Sequence, residues 1–173
     1  MLRKQGDIYK ELGDEKYELG NLEDSLCEEI AKEYLDQGKR VRYISFIKDR
    51  DPDTAVFFKS FDNAEYHCHT YYGEIDIREG LTEKQEKYVE NSFYLAERTD
   101  EERFDLLVCE NLLDIPILSR TGNTTYEDIK GMLNRKKDLG IVLTGNYTGT
   151  IISKNLEDIY TTVLTDLKQE FSY

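Results

Sequence analysis

The 173-residue sequence has few basic residues for the number of its acidic ones. Lysine and arginine together number 23, against 36 aspartates and glutamates, which gives a formal net charge of −13. Proteins that bind nucleic acid rely largely on clustered lysine and arginine, so this composition excludes a general affinity for nucleic acid. It favours an acidic globular domain and leaves open an acidic mimic that occupies a basic site on another protein.

Cysteine is scarce as well, and its spacing matches no metal-binding pattern. The three cysteines, Cys27, Cys68 and Cys109, are an odd number and lie far apart, which predicts reduced thiols in a cytoplasmic protein. Cys68 and Cys109 lie within regular hydrophobic patterns, so we expect core thiols there. A Gly-x-Ser-x-Gly motif is also missing, which removes the usual sequence signature of a serine hydrolase.

Long apolar segments are absent. The N-terminus has no apolar region typical of a signal peptide, and no run reaches about 18 apolar residues. We therefore expect a protein that is neither exported nor membrane-bound. Without internal repeats or low-complexity linkers, residues 1–173 fit a single domain, in which residues 1–19 form an irregular N-terminal segment with a weak strand candidate at Lys16–Leu19.

The segment that is most informative about the fold is Phe104–Leu113, with the sequence FDLLVCENLL. Residues 106–109 have no polar side chain, which is typical of a strand covered on both faces, as in a parallel sheet between helices. Glu110 would then lie at the C-terminal end of the strand, where open α/β sheets bind ligands. The carboxylate is therefore either a catalytic or metal-linked group, or a polar residue that ends a buried strand.

The rest of the chain alternates between helical and strand patterns. Helices are predicted from Asn21 to Gly38, over Leu81–Arg98, from Thr124 or Thr125 to Gly140, and from Leu156 to Leu167; strands are predicted at Val41–Ile47, Glu65–Tyr71 and Ile141–Leu143. Residues 54–61 fit either a short helix or an extended segment, and the segment with Pro116 and Gly122 is predicted to be a loop. This order predicts an α/β protein with three layers and a mostly parallel sheet.

Four segments in this order resemble the ATP:corrinoid (cob(I)alamin) adenosyltransferase family. They are GKRVRYISFIKD (38–49), FDLLVCENL (104–112), TTYEDIKGMLNRKK (124–137) and GIVLTGN (140–146). That family has a P-loop, RecA-like fold and transfers the 5′-deoxyadenosyl group of ATP to the cobalt of a reduced corrinoid. The resemblance implies this fold, the cofactors Mg²⁺ and ATP, a corrinoid as substrate or ligand, and a homodimer.

The resemblance also implies roles for individual residues. Glu110 and Lys48 would be catalytic, and Glu110 and Asp24 would bind the metal ion. The residues that would contact ATP or the corrinoid are Gly20, Asn21 and Ser25 in the phosphate loop, Thr144, Gly145 and Asn146 after the last strand, and the aromatic pair Tyr71 and Tyr72.

The sequence departs from the family pattern where the triphosphate would bind. Glu23 stands where the family has the lysine of the phosphate loop, Asp24 or Ser25 stands at the hydroxyl position, and Asn146 replaces an arginine. A carboxylate about 4 Å from a phosphate charge costs about 4 kcal/mol at an effective dielectric near 20. ATP binding is therefore expected to be impaired or lost, unless a bridging Mg²⁺ offsets the repulsion. Two hypotheses remain: a divergent transferase, or a non-catalytic paralogue that binds a corrinoid, another small ligand or a protein.

His67 and His69 share one face of the predicted strand at residues 65–71. Such a His-x-His pair can bind a metal ion or reach an axial position on cobalt. Since no third ligand lies at motif spacing, a partly buried structural pair is the alternative.

Overall fold

Strands and helices alternate along the described part of the chain. The computed structural model describes residues 18–21, 26–46, 52–68, 75, 78–147 and 149–156. The strands are β1 (Glu18–Asn21), β2 (Val41–Ser45), β3 (Ala64–Cys68), β4 (Leu106–Glu110), β5 (Gly140–Gly145) and β6 (Thr150–Lys154). The helices are α1 (Leu26–Asp36), α2 (Pro52–Lys59), α3 (Glu83–Glu97), α4 (Ile115–Leu118) and α5 (Tyr126–Arg135), with a 3-10 turn at Leu112–Asp114.

The strands form one sheet in the order β1-β6-β5-β4-β2-β3. The pairs β3–β2, β2–β4 and β4–β5 are parallel, whereas β6 is antiparallel to both β5 and β1. Among the described strands, five therefore run in the same direction and β6 is reversed. This confirms the expected α/β class with a mostly parallel sheet, and it places β4 in the interior of the sheet as the apolar run at residues 106–109 predicts.

Alternating side chains of the strands supply two separate hydrophobic cores. Leu106 and Val108 of β4 pack in a core with α1 and Phe58 of α2. Leu107 and Cys109 pack in the other core, with α3 and α5. Because residues 106–109 are all fully buried, β4 is covered on both faces, which explains its continuous apolar sequence.

Two helices begin where the sequence predicts. Thr82 and Thr125 each form a capping box, in which the threonine side chain accepts a hydrogen bond from the backbone of the third helical residue and that residue's side chain accepts one from the threonine N–H. These reciprocal bonds satisfy amide groups that have no partner within the helix. Among the described residues, no helix combines the length and apolar character needed to cross a membrane.

The structure also corrects the expected elements. Residues 112–118 are helical rather than a loop, because Pro116 lies in the first turn of α4, where its missing N–H costs no hydrogen bond. β6 is an additional strand that the hydrophobic pattern did not predict, and the ambiguous residues 54–61 are mostly helical in α2. The predicted helix after Leu156 and the end of the predicted strand after Cys68 lie outside the described residues.

Candidate functional site at the strand ends

The chain connections diverge between the adjacent strands β2 and β4. β2 continues through α2 to β3 on one side, whereas β4 continues through α5 to β5 on the other side. Such a divergence leaves a crevice at the carboxyl ends of the strands, which is the usual ligand position in open α/β sheets. The last residues of the two strands, Ser45 and Glu110, are directly paired there. The topology therefore places Glu110 at the best ligand position that the sheet offers.

Glu110 accepts two hydrogen bonds from side chains of β2. The Tyr43 hydroxyl donates to Oε2 at 2.8 Å, and the Ser45 hydroxyl donates to Oε1 at 2.7 Å. Both donors are 1% exposed. Hydrogen bonds to an ionised carboxylate are stronger than neutral ones, so these two donors fix the orientation of the Glu110 side chain at the ends of β2 and β4.

Tyr43 is kept protonated by its surroundings. Burial raises the pKa of Tyr43 well above its usual value, and the nearby Cys27, Glu110 and Glu28 raise the pKa further. A tyrosine in this position donates its proton to a hydrogen bond at every ordinary pH. The arrangement is suited to orienting a carboxylate, and it is not suited to using Tyr43 as a base.

Tyr66 and Cys68 of β3 extend this cluster. The Tyr66 hydroxyl interacts with the Cys68 thiol and the Ser45 hydroxyl, and burial is the main reason that the pKa of Tyr66 is raised. Glu110, Ser45, Tyr66 and Cys68 therefore form a continuous polar path across the ends of three neighbouring strands. This path was not predicted from the sequence.

The first turns of α1 and α2 are joined beside the cluster. Thr54 of α2 donates a 2.7 Å hydrogen bond to Glu28 of α1, and Glu28 is close enough to Tyr43 to affect its pKa. Two carboxylates, Glu110 and Glu28, are thus among the groups that raise the pKa of Tyr43. An anionic ligand such as a phosphate would meet repulsion at this point.

Thr144, which the family resemblance places at the ATP site, has an internal partner. The Thr144 hydroxyl is buried and accepts a 3.0 Å hydrogen bond from the backbone N–H of Asn111. Asn111 has a φ of 68°, a left-handed conformation that asparagine tolerates better than most residues. Thr144 therefore stabilises the turn that directs the chain out of β4.

Backbone N–H groups after β5 also form hydrogen bonds within the protein. Asp114 is fully buried, and its carboxylate accepts hydrogen bonds from the backbone N–H groups of Asn146 and Tyr147 at 2.7 and 3.0 Å. These two amides would be natural donors to a phosphate. Because Asp114 already accepts from them, the loop after β5 is held by a protein carboxylate.

The structure brings part of the predicted site together. Glu110, Thr144, Gly145 and Asn146 lie at the same edge of the sheet, since residues 106–109 of β4 pair in parallel with residues 140–143 of β5. The remaining predicted positions at Asp24, Ser25, Lys48, Tyr71 and Tyr72 lie outside the described residues.

Gly20 and Asn21 lie at the end of β1, where they pair with Ile151 and Thr150. Thr150 in turn pairs with Gly145, so β1 ends at the same edge as β5. Two strands separate β1 from β4, which corresponds to about 14 Å at the usual strand spacing. Gly20 and Glu110 are therefore too far apart to contact the same phosphate group directly.

The described residues show no cluster of metal-binding side chains. They contain no group of three histidine, cysteine, aspartate or glutamate side chains arranged to hold a metal ion. Glu110 is a single carboxylate whose two oxygens already accept hydrogen bonds, whereas Mg²⁺ requires near-octahedral oxygen coordination at about 2.0–2.1 Å. The second predicted ligand, Asp24, lies outside the described residues.

His67 takes part in a charged cluster on the other face of β3. Its Nε2 lies 3.3 Å from Glu65, and Glu65 also accepts a 2.8 Å hydrogen bond from Arg42. Burial alone would raise the pKa of Glu65, but hydrogen bonds from His67 and Arg42 lower it below its usual value. The contacts of His67 therefore match the structural alternative, while His69 lies outside the described residues.

No protein-family model and no curated protein matches this chain. The sequence motifs do not indicate Tyr43 and Ser45 as partners of Glu110. The alternation of side chains along β2 places Tyr43 and Ser45 on the same face of the strand, which can be predicted from the sequence. Their contact with Glu110 can be predicted only when the register between β2 and β4 is known.

Proposed function

We propose that this protein is a corrinoid adenosyltransferase-like protein of the P-loop, RecA-like type that no longer uses ATP and acts as a non-catalytic binding protein. The four segments that resemble the family support the scaffold. The α/β class and the mostly parallel sheet agree with it. The odd number of cysteines supports a cytoplasmic location.

The main evidence for a non-catalytic role is the hydrogen bonding of Glu110. In the family the residue at this position would bind Mg²⁺. Here the two carboxylate oxygens accept hydrogen bonds from Tyr43 and Ser45. A metal ion at Glu110 would have to share each carboxylate oxygen with a hydroxyl donor that the protein already holds there. The hydrogen bonds of Thr144 and Asn146 also support a non-catalytic role. The Thr144 hydroxyl and the Asn146 N–H, which would contact ATP in the family, stabilise loops within the protein instead.

The sequence of the phosphate loop supports the same conclusion. Glu23 and Asp24 replace groups that attract a triphosphate with groups that repel it. The change is a reversal of charge rather than a loss of charge, and each repulsive pair costs about 4 kcal/mol at 4 Å and an effective dielectric near 20.

The proposed ligand is a corrinoid that stacks near Tyr71 and Tyr72, bound by a homodimer as the resemblance implies. Aromatic side chains favour flat partners through their large apolar faces. A divergent, active transferase is the second candidate. The observation that favours it is the position of Glu110 beside Ser45 at the divergence of β2 and β4, where ligands bind in this class of sheet.

Two titrations of the full chain test the proposal. Calorimetry with MgATP should give no binding heat at millimolar concentration, and hydroxocobalamin should change its visible spectrum on addition of the protein. Micromolar binding of MgATP would contradict the non-catalytic reading and support the transferase. An unchanged corrinoid spectrum would contradict the corrinoid part of the proposal.

A variant that restores the family charges tests the scaffold separately. Glu23→Lys combined with Asp24→Ser returns a cation and a hydroxyl to the phosphate loop. On a P-loop scaffold this variant should gain measurable MgATP binding, whereas Lys59→Glu, a charge change outside the phosphate loop, should not. No gain in the double variant would count against the P-loop scaffold while leaving the corrinoid titration to be judged on its own.

A further inference from the structure

Within the described part of the chain, β3 is the last strand on its side of the sheet. Its inner edge pairs with β2, where the Val41 N–H donates to the carbonyl oxygen of Asn63. Successive residues of a strand direct their backbone groups to opposite edges, so Glu65 also faces β2. The N–H and C=O groups of Ala64 and Tyr66 therefore point to the outer edge, where a further strand can pair with them.

The hydrophobic core on the α2 side is incompletely covered at this edge. Among the described residues, four hydrophobic side chains that pack against this core are only partly buried, namely Phe57, Phe61, Ala64 and Tyr66. They lie in α2, in β3 or between the two. Every residue of β3 is partly exposed, whereas every residue of β2 is buried. Another chain that pairs with β3 would remove more of this apolar surface from water.

The other face of β3 carries a carboxylate and an imidazole two positions apart. Glu65 accepts a hydrogen bond from Arg42, which also donates to the Leu95 carbonyl oxygen of α3, so this face is on the α3 side. The side chains of Glu65 and His67 are 39% and 37% exposed. A strand with this pattern is complementary to a second copy of itself that runs in the opposite direction, because each carboxylate can then meet an imidazole.

The pattern selects one register for two antiparallel copies of β3. Residues that face the outer edge must lie opposite one another, so Tyr66 can oppose Ala64, Tyr66 or Cys68 of the second copy. The first choice places Glu65 against Glu65, and the last places His67 against His67. With Tyr66 opposite Tyr66, all five residues pair and Glu65 opposes His67 in a non-hydrogen-bonded pair, where side chains approach most closely.

We infer that β3 is the interface of a homodimer in which two copies pair antiparallel through their outer edges, with Tyr66 at the two-fold axis. Glu65 of each copy meets His67 of the other, and the partly exposed aromatic side chains meet on the α2 side. Both copies use the same surface, as a two-fold dimer requires. The homodimer itself belongs to the function proposed above, on which this interface rests, whereas corrinoid and ATP binding play no part in it.

Sedimentation equilibrium of the full chain tests for the dimer and for its charge pairs. The wild-type protein should be dimeric at about 100 µM. His67→Glu places two carboxylates opposite each other at two symmetric positions and should raise the dissociation constant about tenfold. His67→Lys should leave the dimer intact. Lys87→Gln, at an exposed residue of α3, makes the net charge more negative by about the same amount as His67→Glu and should have no effect.

A disulfide bond between copies tests the register. In the inferred dimer Ala64 lies opposite Cys68 of the second copy, at the Cα separation of about 5.5 Å that a disulfide bond allows. Ala64→Cys should therefore form covalent dimers with oxidised glutathione, and adding Cys68→Ser should prevent them. Positions 64 and 68 of one strand are about 13 Å apart, so a bond between them joins two copies. Asp62→Cys is the control, because position 62 opposes Cys68 only when Glu65 opposes Glu65.

The outcomes separate this interface from the rest of the proposed function. A wild-type protein that is monomeric at about 100 µM would overturn both the interface and the homodimer. A dimer that is insensitive to His67→Glu and forms no disulfide bond in Ala64→Cys would overturn the β3 interface and leave the homodimer standing. Covalent dimers of Asp62→Cys in place of Ala64→Cys would overturn the register. The corrinoid titration is judged independently of all three results.

Discussion

The Tyr43 hydroxyl donates a 2.8 Å hydrogen bond to Glu110 and so joins the two strands between which the chain connections diverge. The donor is buried and remains protonated because burial raises its pKa. The bond therefore ties the only described carboxylate at the ends of β2 and β4 to the core beneath it.

Replacing Tyr43 with phenylalanine should destabilise the protein. The substitution keeps the ring but removes a donor from a half-buried carboxylate, a change that costs about 1–3 kcal/mol. Urea denaturation should show the loss as a lower midpoint with an unchanged slope. Tyr94→Phe, at a residue that is 58% exposed, is the control and should change the midpoint very little. Equal midpoints for the two variants would contradict the role given to Tyr43.

Thr144→Val should leave the Asn111 N–H without its acceptor. The bond lies in a buried position, and an unsatisfied buried donor costs about 1–3 kcal/mol. The free energy of unfolding should fall by that amount in denaturant titrations. Thr144→Ser retains the hydroxyl and should lose clearly less stability. If valine and serine are equally destabilising, loss of the methyl group costs as much as loss of the hydrogen bond, and the special role given to the hydroxyl is contradicted.

Gly80→Ala should be more harmful than Gly38→Ala. Both glycines have positive φ angles, 78° and 75°, a conformation that costs an alanine about 1–2 kcal/mol. A Cβ at Gly80 would also lie 2.6 Å from the Leu118 carbonyl oxygen, whereas a Cβ at Gly38 meets nothing within 4 Å. Thermal unfolding should therefore show a larger drop in melting temperature for Gly80→Ala. Equal drops would mean that the segment at Leu118 moves away without cost.

Glu86 should contribute to a loss of stability in acid. Burial alone would raise the pKa of Glu86, but hydrogen bonds from Thr121, Ser119 and Arg120 lower it below its usual value. The unfolded chain then binds a proton at a higher pH than the folded protein does. The stabilisation is complete above the usual glutamate pKa of about 4.3 and is lost as the pH falls through the lower folded value.

The Glu86→Gln variant tests this pH dependence. It should be less stable than the wild-type protein at pH 7, and the difference should shrink as the pH falls from about 5 to 3. Glu83→Gln, at an exposed residue of the same helical turn, is the matched control and should leave the pH profile unchanged. A constant difference between Glu86→Gln and wild type at all pH values would show that packing, rather than ionisation, is responsible.

Much of the fold follows from local patterns in the sequence. The uninterrupted apolar residues 106–109 predict a strand that is buried on both faces, and this is what β4 is. Thr82 and Thr125 predict the starts of α3 and α5, because capping depends on residues only three positions apart. Residues 54–61 remained ambiguous for the same reason, since an eight-residue segment is too short for its period to be distinguished.

The candidate site depends instead on contacts between residues that are distant in sequence. Glu110 could be singled out as a carboxylate at a strand end from the sequence, but its donors Tyr43 and Ser45 lie 67 and 65 positions away. Thr144 could be predicted near the same edge, but its hydrogen bond to Asn111 could not. Local sequence determines which segments form strands and which faces are apolar. Only the tertiary structure decides the register between β2 and β4, because that register is set by packing of the whole sheet and its helices.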